Sequence, residues 1–227
     1  RWYGASDDYK VIIARGESKQ FRHFSTMLHD SYEIIATYQR GAPKLDVCKQ
    51  GEHGRYALSW LVGAKSINYR WEKAGEGYVR YLFLQCNPII WFTVLGAVIC
   101  SVVLVGSRYL YGLPVKDPST FFLIVLFTLL YLGYVGAMMQ VDRAMYLYHY
   151  FIPLLFGMCL VCLLFRYGFN DELTRGDRWV YASLIFFTIQ VVAVFLYYAP
   201  FTYYQPLSAT DVWRRAWVSR WKLTPIY

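Results

Sequence analysis

Four long apolar segments occupy the second half of the chain and lead to the first structural prediction. They are residues 88–107, 119–139, 146–165 and 179–198, each about as long as the hydrocarbon core of a bilayer requires of a helix. Tryptophan or tyrosine lies near an end of each segment, where amphipathic rings favour the membrane interface. The pattern predicts an all-α integral membrane protein with four transmembrane helices.

The segments between these predicted helices are short. Residues 108–118 contain glycine and two prolines and predict a turn, residues 140–145 form a very tight link, and residues 166–178 are polar and charged. An even number of helices places both flanking regions on one side of the membrane.

The chain therefore divides into three predicted parts: a flank over residues 1–86, a transmembrane module over 87–198 and a tail over 199–227. In the first flank, apolar residues of the stretch 17–40 recur at helical spacing and predict an amphipathic helix that lies on the membrane or on another part of the protein. The stretch 56–73 mixes aromatic and basic residues and is predicted to be interfacial. Its tryptophans are Trp60 and Trp71.

The tail carries three tryptophans at a spacing of four residues, Trp213, Trp217 and Trp221. This spacing predicts one helical stripe at the membrane surface, where packing is the favoured role of the rings. Arg214 and Arg215 lie in the same segment and are predicted to contact lipid headgroups.

Composition excludes an ordinary soluble domain, because 57% of the residues are hydrophobic and 20% are aromatic. The formal net charge is +8. Two explanations stay open: basic residues that simply flank membrane helices, or a surface that binds anionic headgroups or a phosphate-bearing ligand.

Ionisable and aromatic residues cluster where the third apolar segment begins. Asp142, Arg143, Tyr146, His149 and Tyr150 lie in or beside the tight link. Because an arginine fork matches phosphate oxygens, the cluster predicts a site for the phosphate of a lipid carrier, with Arg143 as the main contact. The last three residues would share one helical face. The alternative is an aromatic belt with an arginine that extends towards the interface and a hydrogen-bonded histidine.

No familiar catalytic motif accompanies this cluster. The sequence contains no G-x-S-x-G, H-E-x-x-H or P-loop pattern and no paired carboxylates in a membrane-side loop; the adjacent Asp7 and Asp8 are expected to form a solvated turn. The sequence therefore predicts neither a metal site nor a complete catalytic set within this chain.

Four stretches are similar, in order, to motifs of one enzyme family. Residues 51–72 resemble H-x-Y-x-S…W-P-L…I-x-Y-W, residues 84–92 resemble G-N-P-x-x-W, residues 146–156 resemble F-L-x-H-Y-x-P, and residues 200–221 resemble P-x-T-Y-G-x-P-L followed by R-x-W-x-x-S-W. The family is that of the protein O-mannosyltransferases, of the GT-C class, and the similar region is its C-terminal four-span module. Cys86 departs from the pattern, because it stands where glycine precedes Asn–Pro in the family.

The resemblance implies a function. The family moves mannose from a polyprenyl (dolichyl) phosphate carrier to Ser or Thr hydroxyls of secreted proteins, without a covalently bound cofactor. Its general base is an acidic residue in a loop near the N-terminus, so this chain is expected to be a C-terminal piece without catalytic residues. The expected partners are membrane lipid, the lipid-linked donor, the acceptor protein and the missing N-terminal region. A dimer is possible, and no nucleic acid is expected.

Two arguments place the flanking regions on opposite sides of the membrane. A count of basic residues near the helices places the flanks in the cytoplasm, whereas the resemblance places them on the lumenal or periplasmic side of an endoplasmic reticulum or bacterial inner membrane. We follow the resemblance, because earlier helices usually set the orientation of later ones.

Two other functions stay open at this point. One is a different polyprenyl-phosphate-sugar transferase that acts on lipid or glycan, since the similar motifs belong to the scaffold. The other is a non-catalytic four-span subunit that binds lipid or a partner.

Overall fold

The computed structural model describes residues 6–17, 20–41, 54, 56–141, 144–218, 221 and 223. The chain forms two compact units, residues 1–44 and 45–227.

The described residues of the first unit form two helices and a short 3-10 turn. Helix α1 spans Asp7–Ala14, the turn spans Phe21–His23, and helix α2 spans Phe24–Gly41. The carboxylate of Asp30 in α2 accepts a hydrogen bond from the backbone N–H of Ser6 at 3.0 Å, which ties the start of α1 to α2.

Helix α2 lies largely within the stretch predicted to be an amphipathic helix. Its apolar residues Phe24, Leu28, Tyr32 and Ile35 are all exposed and recur at helical spacing. An exposed apolar stripe of this kind is suited to a membrane surface. The contact of α2 with a membrane stays a prediction.

The second unit contains a helical bundle, and four of its helices are long and apolar enough to cross a membrane, as predicted. The helices are α3 (Ala57–Trp60), α4 (Pro88–Tyr111), α5 (Pro118–Met139), α6 (Phe151–Arg175), α7 (Arg178–Thr202) and α8 (Ala209–Arg215). A 3-10 helix, Leu147–Tyr150, precedes α6.

Local sequence fixes where α4 and α5 begin. The side chain of Asn87 accepts from the backbone N–H of Ile89 at 3.1 Å, and the side chain of Asp117 accepts from that of Ser119 at 3.0 Å. A proline follows each cap, at a helical position whose N–H has no intrahelical partner.

The third membrane helix differs from its predicted limits. The predicted loop 166–178 is mostly helix, because α6 continues to Arg175 and only Gly176 and Asp177 separate it from α7. Hydropathy marks the part of a helix that suits hydrocarbon, whereas the polar residues beyond it continue the helix where water can solvate them. Non-helical dihedrals at Phe169 (φ −119°, ψ 24°) mark a kink in this extension.

A small antiparallel sheet, which the sequence did not predict, accompanies the helices. Strands β1 (Ile67–Gly75), β2 (Tyr78–Leu84) and β3 (Pro206–Ser208) pair in the order β1-β2-β3. Tyr81 and Phe83 of β2 are buried and meet the ring of Phe201 edge to face, at centroid distances of 6.5 and 5.2 Å. The sheet therefore packs against the end of α7.

Candidate functional site

The link between α5 and α6 holds the predicted carrier-phosphate cluster. Asp142 and Arg143 lie outside the described residues. Met145 and Leu147, which follow them, are each 2% exposed and anchor this part of the link in the core. The described end of the link is therefore attached to the core just before the 3-10 helix.

His149 is held by a hydrogen bond and by two rings. The backbone N–H of Tyr146 donates to Nδ1 of His149 at 3.2 Å. The imidazole stacks on Tyr148 at a centroid distance of 4.4 Å and on Trp60 at 5.9 Å. Nδ1 also lies 3.0 Å from the carbonyl oxygen of Tyr146. Within the described part of the chain Nε2 has no hydrogen-bond partner, so it is the ring nitrogen open to a ligand, and it donates when Nδ1 accepts from the Tyr146 N–H.

Tyr150 is fully buried and joins three helices. Its hydroxyl lies 2.7 Å from the hydroxyl of Tyr131 in α5, and its ring packs against Trp91 of α4 at a centroid distance of 5.5 Å. The buried Tyr150 therefore stabilises the start of α6, and its side chain is not exposed to a ligand. Sequence reasoning did not assign a role to Tyr131 or Trp91, although Trp91 belongs to the stretch that resembles G-N-P-x-x-W, because each is one of several aromatic residues within a long apolar helix.

Trp60 connects the short helix α3 to the same cluster. It was predicted to be interfacial, but its side chain is fully buried. Its backbone carbonyl accepts the indole N–H of Trp91 at 2.8 Å, and its ring covers His149. Trp60 therefore packs inside the protein and supports the imidazole from α3. Trp71 of β1, by contrast, is 54% exposed and available to an interface.

The predicted single helical face of Tyr146, His149 and Tyr150 is wrong. The backbone of Tyr146 is extended (φ −122°, ψ 161°), and the four residues after it form a 3-10 helix. Tyr146 instead caps this 3-10 helix together with His149, and its ring stacks on Tyr148 at 5.7 Å. The cap turns His149 and Tyr150 to different surroundings: one is half-buried beside the link, and the other is in the core.

The tail does not form the predicted helical stripe. Helix α8 ends at Arg215, and the backbone of Ala216 (φ −82°, ψ 59°) leaves the helix. Trp213 and Trp217 are more than half exposed, whereas Trp221 is fully buried. The three tryptophans therefore do not share one helical face, because the helix ends before Trp217 and Trp221.

Two arginines of the tail have different environments. The guanidinium of Arg215 lies 4.7 Å from the ring centre of Tyr197, and its Nε donates to the carbonyl of Tyr197 at 2.9 Å. Arg215 therefore attaches the tail to α7. Arg214 is exposed, and contact between Arg214 and lipid headgroups stays a prediction.

A capping box begins α8 and carries a perturbed carboxylate. The hydroxyl of Ser208 donates to Asp211 at 2.7 Å, and the backbone N–H of Asp211 donates back to that hydroxyl at 3.2 Å. The hydrogen bonds from Ser208 lower the pKa of Asp211, so this carboxylate is ionised at neutral pH.

Cys86 gives an accessible test of packing beside the site. The thiol is 2% exposed and lies under Gly63, where an added Cβ would stand 2.5 Å from the sulfur. Burial raises the pKa of the Cys86 thiol to about 12. Tight packing therefore keeps the thiol neutral and shielded from reagents.

We expect Cys86 to resist maleimide in the folded chain. The experiment uses a background in which the other cysteines are replaced by alanine, and the control is the exposed thiol of Glu76→Cys Cys86→Ala. At neutral pH Cys86 should react about a thousandfold more slowly than this control, because each unit by which the pKa is raised lowers the thiolate fraction tenfold. Glu76 is the matched position because it is exposed in the β1–β2 turn. Equal rates in the folded state would contradict the described packing.

Comparison with known proteins gives two findings. Residues 54–221 match the model of a family described as the C-terminal four-transmembrane region of protein O-mannosyltransferase. The fold is similar to a chain of the S. cerevisiae protein O-mannosyltransferase Pmt1-Pmt2 complex bound to the sugar donor, with a TM-score of 0.63 and 17% sequence identity. That similarity covers 88% of this chain but only 27% of the yeast chain. A comparison with curated proteins gave no match.

Proposed function

Because this chain belongs to the family of the C-terminal four-transmembrane region of protein O-mannosyltransferases, we propose that it is the membrane module of an enzyme that moves mannose from a polyprenyl-phosphate carrier to Ser or Thr of secreted proteins. The family match over residues 54–221 is the observation that carries this proposal. The four apolar helices support an integral, multi-pass membrane protein. The yeast complex of similar fold was solved with its sugar donor, which favours a lipid-linked donor here.

In this proposal the α5–α6 link meets the phosphate of the carrier. A polyprenyl chain stays in the bilayer and its phosphate stays at the interface, the level at which a link between two membrane helices lies. Arg143 supplies the planar fork of donors, and Asp142 and Tyr146 flank it in the link. The burial of Met145 and Leu147 attaches the described end of the link to the core, which supports a binding site beside the start of α6.

His149 and Tyr150 have separate roles in the proposed site. The Nε2–H of His149 is the second donor to the carrier, because Nδ1 is occupied by the backbone of Tyr146. Tyr150 is a positioning residue, which acts by holding the start of α6 to Tyr131.

The remaining parts of the proposal concern the whole enzyme. Both flanks of the module face the lumen of the endoplasmic reticulum or the bacterial periplasm, where secreted acceptors are available. The general base for the acceptor hydroxyl comes from another part of the enzyme.

The Arg143 contact is tested by donor kinetics. In membranes that contain the native polypeptide, Arg143→Ala should raise the KM for polyprenyl phosphate mannose by about tenfold or more, as expected when a charge-assisted hydrogen bond is lost. The readout is transfer of labelled mannose to a Ser/Thr peptide. Arg175→Ala is the matched control, because Arg175 is exposed at the opposite end of α6.

Two results would contradict the proposal. Equal effects of the two substitutions would remove Arg143 from the phosphate site. Transfer of the sugar to a lipid or glycan, with none to the peptide, would replace the proposed reaction by that of another polyprenyl-phosphate-sugar transferase.

A further inference from the structure

A groove between three membrane helices lies away from the α5–α6 link. It has a volume of about 510 Å³ and is bounded by α4, α6 and α7. Its walls are almost entirely apolar, and Val161, Phe165, Leu173 and Phe187 are among the residues that line them. A volume of this size falls within the range of about 300–1,000 Å³ that is usual for ligand pockets.

The groove is elongated along α6. Its lining on that helix extends from Val161 to Leu173, which corresponds to about 18 Å at about 1.5 Å per residue. One leaflet contributes about half of a hydrocarbon core that is about 30 Å thick. Arg166 lies within this lining, so about 8 Å of it, from Arg166 to Val161, extends towards the middle of the bilayer and can hold the first part of one acyl chain of a phospholipid.

Arg166 is the one ionised side chain among the described residues that line this apolar groove. Its neighbour Tyr167 accepts a hydrogen bond from the backbone N–H of Lys116 at 3.2 Å, in the connection between α4 and α5. This bond places Arg166 at the level where α5 begins, near one end of the membrane-spanning bundle. Among the described residues, Arg166 has no hydrogen-bond or ion-pair partner.

The nearby carboxylate is already engaged. Asp117 accepts from the backbone N–H groups of Ser119 and Thr120 at 3.0 and 3.3 Å and from the Thr120 hydroxyl at 2.5 Å. Arg166 attracts this carboxylate without a hydrogen bond, and the attraction lowers the pKa of Asp117 less than the hydrogen bonds from Thr120 and Ser119 do. The arginine therefore keeps its donors available to a further anion.

We propose that the α4–α6–α7 groove binds one acyl chain of an anionic phospholipid whose phosphate is held by Arg166. The lipid belongs to the leaflet at the end of the bundle where α6 meets α7, opposite the α5–α6 link. Charge complementarity selects this occupant: a packed apolar helix would fill the walls but would leave the guanidinium with only the carboxylate of Asp117, which is already hydrogen-bonded to the start of α5. The site is separate from the proposed carrier-phosphate site and does not depend on it.

Lipid retention tests the proposal directly. The native polypeptide is reconstituted in vesicles of phosphatidylcholine with a minor fraction of phosphatidylglycerol, extracted into mild detergent and examined by native mass spectrometry. Unmodified protein should retain phosphatidylglycerol in preference to phosphatidylcholine. Arg166→Gln should lower that preference by about tenfold, as loss of a charge-assisted contact predicts. Arg175→Gln, on the same helix but outside the groove, should leave it unchanged.

A second pair of variants tests the acyl chain. Ser183→Trp places a large ring inside the groove and should abolish retention, whereas Ile189→Trp, on the exposed outer face of α7, should not. A phosphatidylglycerol with a photoreactive group at the end of one acyl chain should crosslink to the segment that contains Phe187. If Ser183→Trp does not fold, competition of unlabelled phosphatidylglycerol for this crosslink supplies the same information.

Several outcomes would overturn the proposal. They are equal retention by Arg166→Gln and Arg175→Gln, crosslinks spread evenly over the exposed face of α7, displacement by polyprenyl phosphate but not by phosphatidylglycerol, and crosslinking of the groove to another polypeptide segment of the native protein. None of these results depends on mannose transfer, so they leave the proposed function untouched.

Discussion

Replacement of Gly157 by leucine is expected to force α6 away from α4 and to destabilise the bundle. A Cβ at this position would stand 2.3 Å from Cγ1 of Val94 and 3.5 Å from the ring of Tyr131. Small residues allow membrane helices to approach closely, and overpacking of a tight contact costs about 1–3 kcal/mol. We expect a loss at the upper end of that range, because the first added carbon already overlaps Val94.

The expected damage extends to the candidate site. Gly157 lies less than two turns from the start of α6, and Val94 lies one turn from Trp91, which packs against Tyr150. Displacement of α6 would therefore disturb the hydroxyl pair of Tyr150 and Tyr131 and the position of the link. In membranes, the KM for the lipid-linked donor should rise together with the loss of stability.

Denaturant titration of the free energy of unfolding in detergent micelles measures the first effect. Gly96→Leu is the matched control, since a Cβ added at Gly96 in α4 would have no heavy atom of another element within 4 Å, and this position is exposed. The control should be neutral or slightly stabilising, because leucine favours a helix more than glycine does. If Gly157→Leu were as stable as Gly96→Leu, the described contact between α4 and α6 would be incorrect.

The membrane helices were predictable because their signal is local. A run of about 20 apolar residues reports its own surroundings, so all four helices could be located from the sequence. The ends of the helices were harder to predict from the sequence. Helix α6 continues beyond the apolar run to Arg175, through polar residues that carry no membrane signal. Caps such as Asn87 and Asp117 define two of the starts more sharply than hydropathy does.

The sheet was not predictable in the same way. Strand β1 begins with a period-two alternation, in which Ile67, Tyr69 and Trp71 are separated by polar residues, but the alternation is short and its mixture of aromatic and basic residues was interpreted as an interfacial segment. Its stability depends on pairing with β2, which in turn pairs with β3 far along the chain. Long-range pairing leaves little trace in either segment alone.

The candidate site was located by sequence, but the roles of its members were not. The motif around His149 drew attention to the α5–α6 link, yet periodicity assigned an α-helix where the backbone is extended and then 3-10. The stack of Trp60 on His149 joins two segments far apart in sequence, and no spacing rule indicates it. Tyr150 was predicted to contact the ligand. The local sequence does not show that it is buried, because the residues that bury it, Tyr131 and Trp91, lie on other helices.

The second large effect is expected from Trp221→Ala. This side chain is fully buried, its indole N–H donates to the carbonyl of Val62 at 3.3 Å, and its ring meets Tyr198 of α7 edge to face at 6.0 Å. Its backbone carbonyl also accepts the N–H of Ser66 at 3.0 Å. Truncation of a buried tryptophan costs about 3–5 kcal/mol, because the cavity is only partly refilled.

Trp213→Ala supplies the comparison, since Trp213 carries the same ring at 57% exposure. We expect it to change the free energy of unfolding in micelles by less than about 0.5 kcal/mol, as surface substitutions usually do. Limited proteolysis provides a second measurement: loss of Trp221 should release the tail for cleavage, whereas loss of Trp213 should not. Equal losses of stability in Trp221→Ala and Trp213→Ala would contradict the burial of Trp221 and would favour the helical stripe that the spacing predicts. A large difference would show that Trp221 attaches the end of the chain to the loop after α3 and so supports Trp60, the ring that covers His149.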